Sequence, residues 1–436
     1  MKKILAILLA VVLCFSLVAC VSNTDADTTT GEGETTAANV DLSDLKIGVV
    51  LLHNETVGYD ENFMLAIESA CKNLGIDASQ VTYKKDIPED SACYDACVEL
   101  VEDGCDLIFA DSFGHEEFVI KAAEEYPNVQ FFHATGTSSK IVNLKNFHNA
   151  FASIYEGRFL AGVVAGMKLQ ELIDNGTIKE DEAKIGYISA KPYAECISGY
   201  TSFYLGARYI CKSATMDVTY TDSWADLALE QEAAKKLIES GCVLISEHAD
   251  TDGAPMACEE AVKNGKTVYH VGYNIDFSDV APSANLVSSK INWTPYFELI
   301  FKAVAAKEEV ETDFCGSIAT GSIELTPYTE ANLAKGTEEK IEEVKALLEK
   351  GELKVFDTST FTVKEEATIK ANEANFVSAD NYKTDEDGHL TSYMADAVTD
   401  DAFTPDTEAI VDGEFSESTF RSAPYFNVII DGITIV

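Results

Sequence analysis

Leu100-Val101-Glu102-Asp103-Gly104-Cys105-Asp106-Leu107-Ile108 returns later in the chain as Leu237-Ile238-Glu239-Ser240-Gly241-Cys242-Val243-Leu244-Ile245. In the same register, Phe132-His133 returns as Tyr269-His270. Similarity at one fixed separation is the mark of a duplicated structural unit. The sequence therefore predicts two like lobes, and a cleft between two lobes is a natural place for a binding site.

Runs of β-branched and aromatic residues alternate with amphipathic helical patterns through both copies. This order predicts an α/β fold with two doubly wound parallel-sheet lobes. A long helix rich in Ala and Gly follows the first lobe, and the pattern changes to short strands and acidic turns near the end. The predicted parts are residues 1–20, a signal peptide; 21–44, a disordered tether; 45–150, lobe 1; 151–285, lobe 2 with a connecting helix; 286–356, a hinge return that completes lobe 1; and 357–436, an acidic β-rich appendage.

The first residues predict export. Lys2-Lys3, the apolar run 4–18 and the end Leu17-Val18-Ala19-Cys20 have the order of a signal peptide. This ending resembles a bacterial lipobox, which implies cleavage before Cys20 and a lipid on its sulfur. We therefore expect a lipid-anchored protein on the extracytoplasmic face of the cell membrane. An ordinary secretory signal that ends on a cysteine by chance is the alternative.

Composition excludes several classes of ligand. The formal net charge of −42 repels nucleic acid. Arginine, the usual clamp for phosphate and carboxylate groups, occurs only at positions 158, 208 and 421, which disfavours an anionic ligand. Most of the 11 cysteines lie at apolar positions and are expected to be free buried thiols. Cys93 and Cys97 share a helical face, but no histidine lies near them in sequence, so we expect neither a metal nor a cofactor.

Aromatic and polar side chains follow the predicted strands in both lobes. Ligands of open α/β sheets bind beyond the carboxyl ends of the strands. Rings can cover the faces of a flat ligand, while carboxylates and amides bind its edges, as a nucleobase or nucleoside requires. The candidate binding residues are Asn54, Tyr59, Asp60, Phe63, Ser112 and Phe113 in lobe 1, and Trp224, Asp226, His248, Asp250, Asn274 and Asp276 in lobe 2.

Some of these residues have other interpretations. Phe63 lies on the apolar face of its predicted helix and equally suits the core, and Asp60 suits an N-cap. His248, Asp250 and Asp252 alternate as metal ligands could, which would suit a membrane-anchored nucleoside-processing enzyme. The chain lacks a Gly-x-Ser-x-Gly elbow, a His-Glu-x-x-His motif and a complete P-loop, so no catalytic residue is predicted.

Several motifs carry a family resemblance. Glu156-Gly157-Arg158-Phe159-Leu160-Ala161-Gly162 resembles the Glu-Gly-x-Phe-Leu-Ala-Gly hallmark of the basic membrane protein family, lipoproteins that bind purine nucleosides for ABC importers. Similar motifs follow the family's order at Asp60-Glu61-Asn62-Phe63, Trp224-Ala225-Asp226, Gly272-Tyr273-Asn274-Ile275-Asp276 and Ser288-Ser289-Lys290. The resemblance covers about residues 44–357 and leaves the appendage without a counterpart.

The resemblance implies a type I periplasmic binding protein whose lobes close on a ligand. It implies that Phe63 and Trp224 stack on a purine, that Lys290 binds a ribose hydroxyl, and that a monomer delivers the ligand to an ABC permease. Asn274 replaces the ribose-binding Asp of the family. Ser112-Phe113-Gly114 and Asn292-Trp293 are similar to motifs of a branch that binds free purine bases. Nucleoside and free base both stay open, and so does a receptor that senses the ligand instead of delivering it.

Overall fold

The computed structural model describes residues 40–371, 379–397 and 405–436. The predicted signal peptide, Cys20 and all but the last residues of the predicted tether lie outside these ranges. The elements, in chain order, are β1 (Ile47–Val50), α1 (Gly58–Leu74), β2 (Val81–Lys84), α2 (Ser91–Glu102), β3 (Leu107–Ala110), α3 (Glu116–Glu125), β4 (Gln130–Ala134), β5 (Phe147–Ala152), α4 (Ile154–Asp174), β6 (Lys184–Ser189), α5 (Ala194–Ile210), β7 (Thr215–Tyr220), α6 (Leu227–Glu239), β8 (Leu244–His248), α7 (Gly253–Lys263), β9 (Tyr269–Tyr273), β10 (Asn285–Ile291), α8 (Thr294–Ala306), β11 (Asp313–Gly316), β12 (Ile323–Leu325), α9 (Thr337–Glu349), α10 (Glu365–Ala371), β13 (Tyr382–Thr384), β14 (Leu390–Ala395), β15 (Thr407–Glu408), β16 (Ile410–Val411), β17 (Glu414–Phe415) and β18 (Ile433–Ile435).

Two mainly parallel sheets form the two lobes, as the sequence predicts. The sheet of lobe 1 has the order β11-β5-β4-β3-β1-β2, and all its neighbouring strands are parallel. The sheet of lobe 2 has the order β12-β10-β9-β8-β6-β7-β18, in which only β12 pairs antiparallel. In both sheets the strand order reverses direction beside the first strand of the lobe, the arrangement that opens a crevice at the carboxyl ends.

The repeated sequence forms the same structure twice. Each copy ends a helix, α2 or α6, and starts the next strand, β3 or β8. The short connection between helix and strand contains one glycine in each copy. Gly104 has φ 81° and Gly241 has φ 98°, a left-handed conformation that only glycine adopts without strain. The strand then pairs with the first strand of its own lobe, through Ile47 with Leu107 and Ile185 with Leu244. The prediction of a duplicated unit is therefore confirmed.

Helices α4 and α5 pack closely because glycines face each other at their contact. A Cβ atom on Gly162 would lie 2.0 Å from the backbone oxygen of Phe203, and one on Gly206 would lie 2.0 Å from the oxygen of Phe159. Such a backbone-to-backbone approach leaves no room for any side chain. The Gly-rich pattern of the predicted connecting helix thus fixes that helix onto lobe 2.

The segment after lobe 2 differs in part from the prediction. Residues 286–356 are expected to complete lobe 1, and α8, which packs on α1, and β11 do so, but β10 and β12 extend the sheet of lobe 2. Strand β10 is almost wholly buried, so it belongs inside a sheet and not in an exposed hinge. The appendage contributes a strand as well, because β18 pairs in parallel with β7 at the other edge of lobe 2.

The cysteines in the described ranges are all free thiols. Eight of them are buried, and Cys315 is half-buried. This matches the prediction of small apolar side chains in the core. No helix in the described part of the chain has the length and apolarity needed to cross a membrane.

We expect Gly162→Ala to lower the free energy of unfolding by about 1–3 kcal/mol, because the new Cβ must push α4 away from the α5 backbone. Gly157→Ala in the same helix is the matched control, since its Cβ would meet only side-chain atoms, first Ile323 Cγ2 at 2.8 Å. Urea unfolding of both variants makes the comparison. Equal losses in the two variants would contradict the packing argument.

Candidate functional site

A cavity lies between the carboxyl ends of the two sheets. Its walls come from both lobes, and its free volume is about 30 Å³, which is room for little more than one water molecule. The lobes therefore lie close together here, and a ligand of the size of a purine fits this space only if they move apart. The lining residues are Leu52, His53, Tyr59, Ser112, Phe113 and Thr135 of lobe 1, and Glu195, Trp224, His248, Asp250 and Tyr273 of lobe 2.

Direct contacts hold the lobes closed beside this cavity. The backbone N–H of Gly58, at the start of α1, donates to the backbone oxygen of Asp250 at 3.2 Å. A Cβ on Gly58 would lie 3.0 Å from Ile275 Cδ1, so the absence of a side chain there lets the lobes meet. These contacts join α1 of lobe 1 to the ends of β8 and β9 in lobe 2.

A buried carboxylate pair supports the wall of lobe 1. The Tyr59 hydroxyl donates to the backbone oxygen of Asp111 at 2.7 Å, and the Asp111 carboxylate accepts from Leu52 N–H at 3.1 Å. Burial and the neighbouring Asp60 carboxylate raise the pKa of Asp111 well above its usual range. Asp60 in turn accepts from the backbone N–H of His53 at 2.7 Å, and its hydrogen bond raises the pKa of His53. The pair therefore holds the loop that carries His53 against the first turn of α1, which carries Tyr59.

A stack of charged and aromatic groups supports the wall of lobe 2. The Arg158 guanidinium carbon lies 3.6 Å from the centre of the Tyr273 ring, and the His248 ring lies 4.8 Å from it. Burial, and then the charge of Arg158, lower the pKa of His248. His248 Nε2 lies 3.3 Å from a Glu195 carboxylate oxygen. A neutral His248 donating to Glu195 is the arrangement that this lowered pKa favours.

Asp250 presents a carboxylate to the cavity, and within the described ranges its side chain has no hydrogen-bond donor from the protein. Burial, and then the charge of Glu230, raise its pKa well above the usual value. Glu230 holds the next residue of the same loop, since its carboxylate accepts from the Thr251 hydroxyl at 2.6 Å and the Thr251 N–H at 3.2 Å. The loop thus places a carboxyl group without a protein partner at the cavity, where it could accept a hydrogen bond from an N–H group of a ligand.

Three aromatic rings form a row across the mouth of the cavity. The ring centres of Phe113 and Tyr193 are 6.2 Å apart, and those of Tyr193 and Trp224 are also 6.2 Å apart. Phe113 belongs to lobe 1 and is 39% exposed, an unusual exposure for a phenylalanine. Tyr193 and Trp224 belong to lobe 2, so the row brings ring faces from both lobes to one cleft.

The structure brings part of the predicted set together. Tyr59, Ser112, Phe113, Trp224, His248 and Asp250 line the cavity. Phe63 does not, because it is fully buried and stacks on Trp293 with ring centres 4.7 Å apart. The expectation that Phe63 stacks on a ligand is corrected accordingly.

Three other candidates have local structural roles. Asp60 is fully buried behind the wall, and it is not an N-cap because α1 already begins at Gly58. The Asn54 amide donates at 2.7 Å to Asp86, in the loop that follows β2. Asp226 caps α6 by accepting from the N–H groups of Ala228 and Leu229. None of these side chains lines the cavity.

Asn274, Asp276 and Lys290 lie in a second, more open cavity of about 700 Å³ between α1 and the end of β9. Lys290 Nζ lies 3.4 Å from a Glu324 carboxylate oxygen, and Asn274 is buried with φ 64°. Ile275, which meets Gly58 of the other lobe, lies between Asn274 and Asp276 in the sequence. The positions that the resemblance assigns to ribose are therefore not in the cavity that contains Trp224.

Five lining residues are not among the predicted binding residues, namely Leu52, His53, Thr135, Glu195 and Tyr273. Thr135 directly follows β4, and Glu195 lies in the first turn of α5, shortly after β6. The rule that side chains after a strand belong to the site would have found both, had it been applied to every strand. His248, Asp250 and Asp252 do not gather as a metal site, since the described residues contain no group of three metal-ligating side chains.

The sequence of residues 54–357 matches the family described as ABC transporter substrate-binding protein PnrA-like. A purine-binding protein of Brucella abortus is 28% identical over 64% of this chain and 74% of its own length. TsgA13 of Haloferax volcanii, described as a candidate ABC transporter glucose-binding protein, is 27% identical over 62% of this chain and 64% of its own length.

Solved structures share the fold. A solute-binding protein of an Aeropyrum pernix ABC transporter superposes with a TM-score of 0.61 at 15% identity, covering 75% of this chain and 96% of that chain. A solute-binding protein from Conexibacter woesei gives a TM-score of 0.57 at 19% identity, covering 71% of this chain and 98% of that chain. These similarities establish the two-lobed architecture.

The support beneath Asp250 predicts a pH dependence. Burial raises the pKa of Glu230 from 4.5 to about 7, so its contribution to stability is complete below pH 4.5 and is lost as the pH rises to about 7. Between pH 5 and pH 8 we expect the wild type to lose unfolding free energy as Glu230 ionises. Glu230→Gln removes this titration and should reduce the loss by at most about 1.4 kcal/mol per pH unit. Glu232→Gln, an exposed change in the same helix, is the control. Identical pH profiles for wild type and Glu230→Gln in urea unfolding would contradict this.

Proposed function

We propose that this chain, which belongs to the family of PnrA-like ABC transporter substrate-binding proteins, captures a purine, as a free base or a nucleoside, in the cavity between its lobes. The family consists of binding components of ABC transporters, not enzymes. Such a protein holds a small molecule outside the cytoplasm and delivers it to a membrane permease. The open question is the ligand.

The observation that carries the proposal is the combination of aromatic rings from both lobes and a carboxyl group without a protein partner in one cleft. Phe113 of lobe 1 and Trp224 of lobe 2 both line the cavity, so a flat ligand can contact both rings when the lobes close on it. Base–aromatic stacking is worth about 1–3 kcal/mol per base, which rewards closure. Asp250 can accept from a purine N–H, because a carboxylate is an acceptor without a donor of its own.

The relatives support a purine without deciding it. One similar protein is named for purine binding and another for glucose binding. The cavity has the rings of Phe113 and Trp224 beside the acceptor carboxylates of Glu195 and Asp250, an arrangement that suits a flat ring with N–H groups at its edge.

Trp224→Ala should weaken purine binding by about 1–3 kcal/mol, the value of one base–aromatic stack. Isothermal titration calorimetry with hypoxanthine, adenine, inosine, adenosine, glucose and ribose makes the test. Asn274→Asp is the matched control, because Asn274 lies in the other cavity, and its purine affinity should equal that of the wild type.

Two outcomes would overturn the proposal. Binding of glucose without any purine at millimolar concentration would assign the cavity to sugars. Purine binding that is insensitive to Trp224→Ala but lost in Asn274→Asp would place the ligand beside Asn274 instead. Thermal unfolding of each variant establishes that it remains folded.

We also propose that Cys20 carries a lipid that anchors the protein, because Leu17-Val18-Ala19-Cys20 resembles a lipobox. Metabolic labelling with a radioactive fatty acid in a bacterial host should label the wild type and not Cys20→Ser. The variant should also leave the membrane fraction. Equal labelling of both chains would exclude this attachment site.

A further inference from the structure

The appendage, residues 357–436, reaches both lobes. On lobe 2, β18 pairs with β7, and Arg208 donates to the Asp431 carboxylate at 2.6 Å. On lobe 1, the Ser422 N–H donates to Asp313 at 2.9 Å, at the start of β11. Almost all of this segment follows the part of the chain that matches the family. It is therefore an addition that is bonded to both halves of the binding protein.

A chamber of about 290 Å³ lies between the appendage and the two lobes. This is close to the roughly 300 Å³ at which small-molecule pockets begin. Phe113, Thr135 and Glu195 line both the chamber and the cavity of Trp224 and Asp250. The two spaces are therefore neighbours that share one wall, and a ligand of two parts could span both once the lobes open enough to admit one part beside Trp224.

The chemistry of the chamber excludes an anionic group. Among the residues that the structure describes, the charged side chains of its lining are Glu195, Asp396 and Arg421. Arg421 is engaged with the appendage itself, since it donates to the backbone oxygens of Ala423 and Pro424, both at 3.2 Å, and lies 3.9 Å from Asp396. A phosphate would thus meet two carboxylates and a guanidinium that is already bound.

The rest of the chamber suits a hydroxylated ring. The half-buried Tyr193 and the exposed Phe113 supply aromatic surface, against which the C–H face of a sugar can pack. Glu195 and Thr137 supply oxygen atoms that accept hydrogen bonds from hydroxyl groups. An uncharged polyol ring is the group that uses both features.

We propose that the appendage builds a sugar subsite, so that the base of a purine nucleoside lies by Trp224 and its uncharged sugar lies in the chamber against the appendage. This inference rests on the proposed purine binding. It replaces the ribose contacts that Asn274 and Lys290 were expected to make, and it gives residues 357–436 a part in ligand selection.

Chamber-filling variants of the full chain test the subsite. Ala423→Leu fills it from the appendage, and Ala194→Phe fills it from the first turn of α5, where Ala194 is half-buried. Ala228→Phe, at an exposed site on α6, is the control. We expect both filling variants to weaken inosine binding roughly tenfold or more and to leave hypoxanthine binding within about twofold. The control should change neither affinity.

The outcomes separate this inference from the proposed function. If the wild type binds hypoxanthine and inosine equally, or if the filling variants weaken both ligands alike or neither, the sugar subsite is overturned while purine binding stands. If the wild type binds no purine, both proposals fall. Thermal unfolding identifies a variant that has lost its fold, and the other filling variant then decides the result.

Discussion

The direction of the strands determines at which edge of each sheet the candidate binding side chains lie. Parallel strands end at the same edge of a sheet. The residues that follow them therefore lie close together there, even when they are far apart in the sequence. Duplication gives two such edges, and closure of the lobes brings them face to face around Tyr59, Trp224 and Asp250. The buried groups behind them, Asp111 and Arg158, then hold the wall residues in place.

The fold was predictable because its signals are local. The helix ends at Gly104 and Gly241, the buried strands and the Gly-rich contact of α4 with α5 all follow from spacing and residue type. The site was predictable only in part. A position after a strand indicates the correct edge, but it does not say whether a side chain faces the cavity, a capped helix or the core.

Phe63 shows why this last step fails. Its place on the apolar face of α1 suits either a ligand or a core partner, and Trp293, which stacks on it, comes from a distant part of the chain. Asn274 and Lys290 were placed by resemblance, and their cavity is set by how α1 meets β9 across the lobes. Such contacts depend on tertiary packing, which overrides local pattern.

The pairing of β18 with β7 also constrains how the chain folds. Ile433 meets Met216 across about half of the sequence, and closing so long a loop is slow because its entropy must be lost before the contact forms. Until then β7 is an open sheet edge, which can pair with another chain as readily as with its own. Refolding yield should therefore fall with protein concentration, and aggregation is the competing reaction that the last strand prevents.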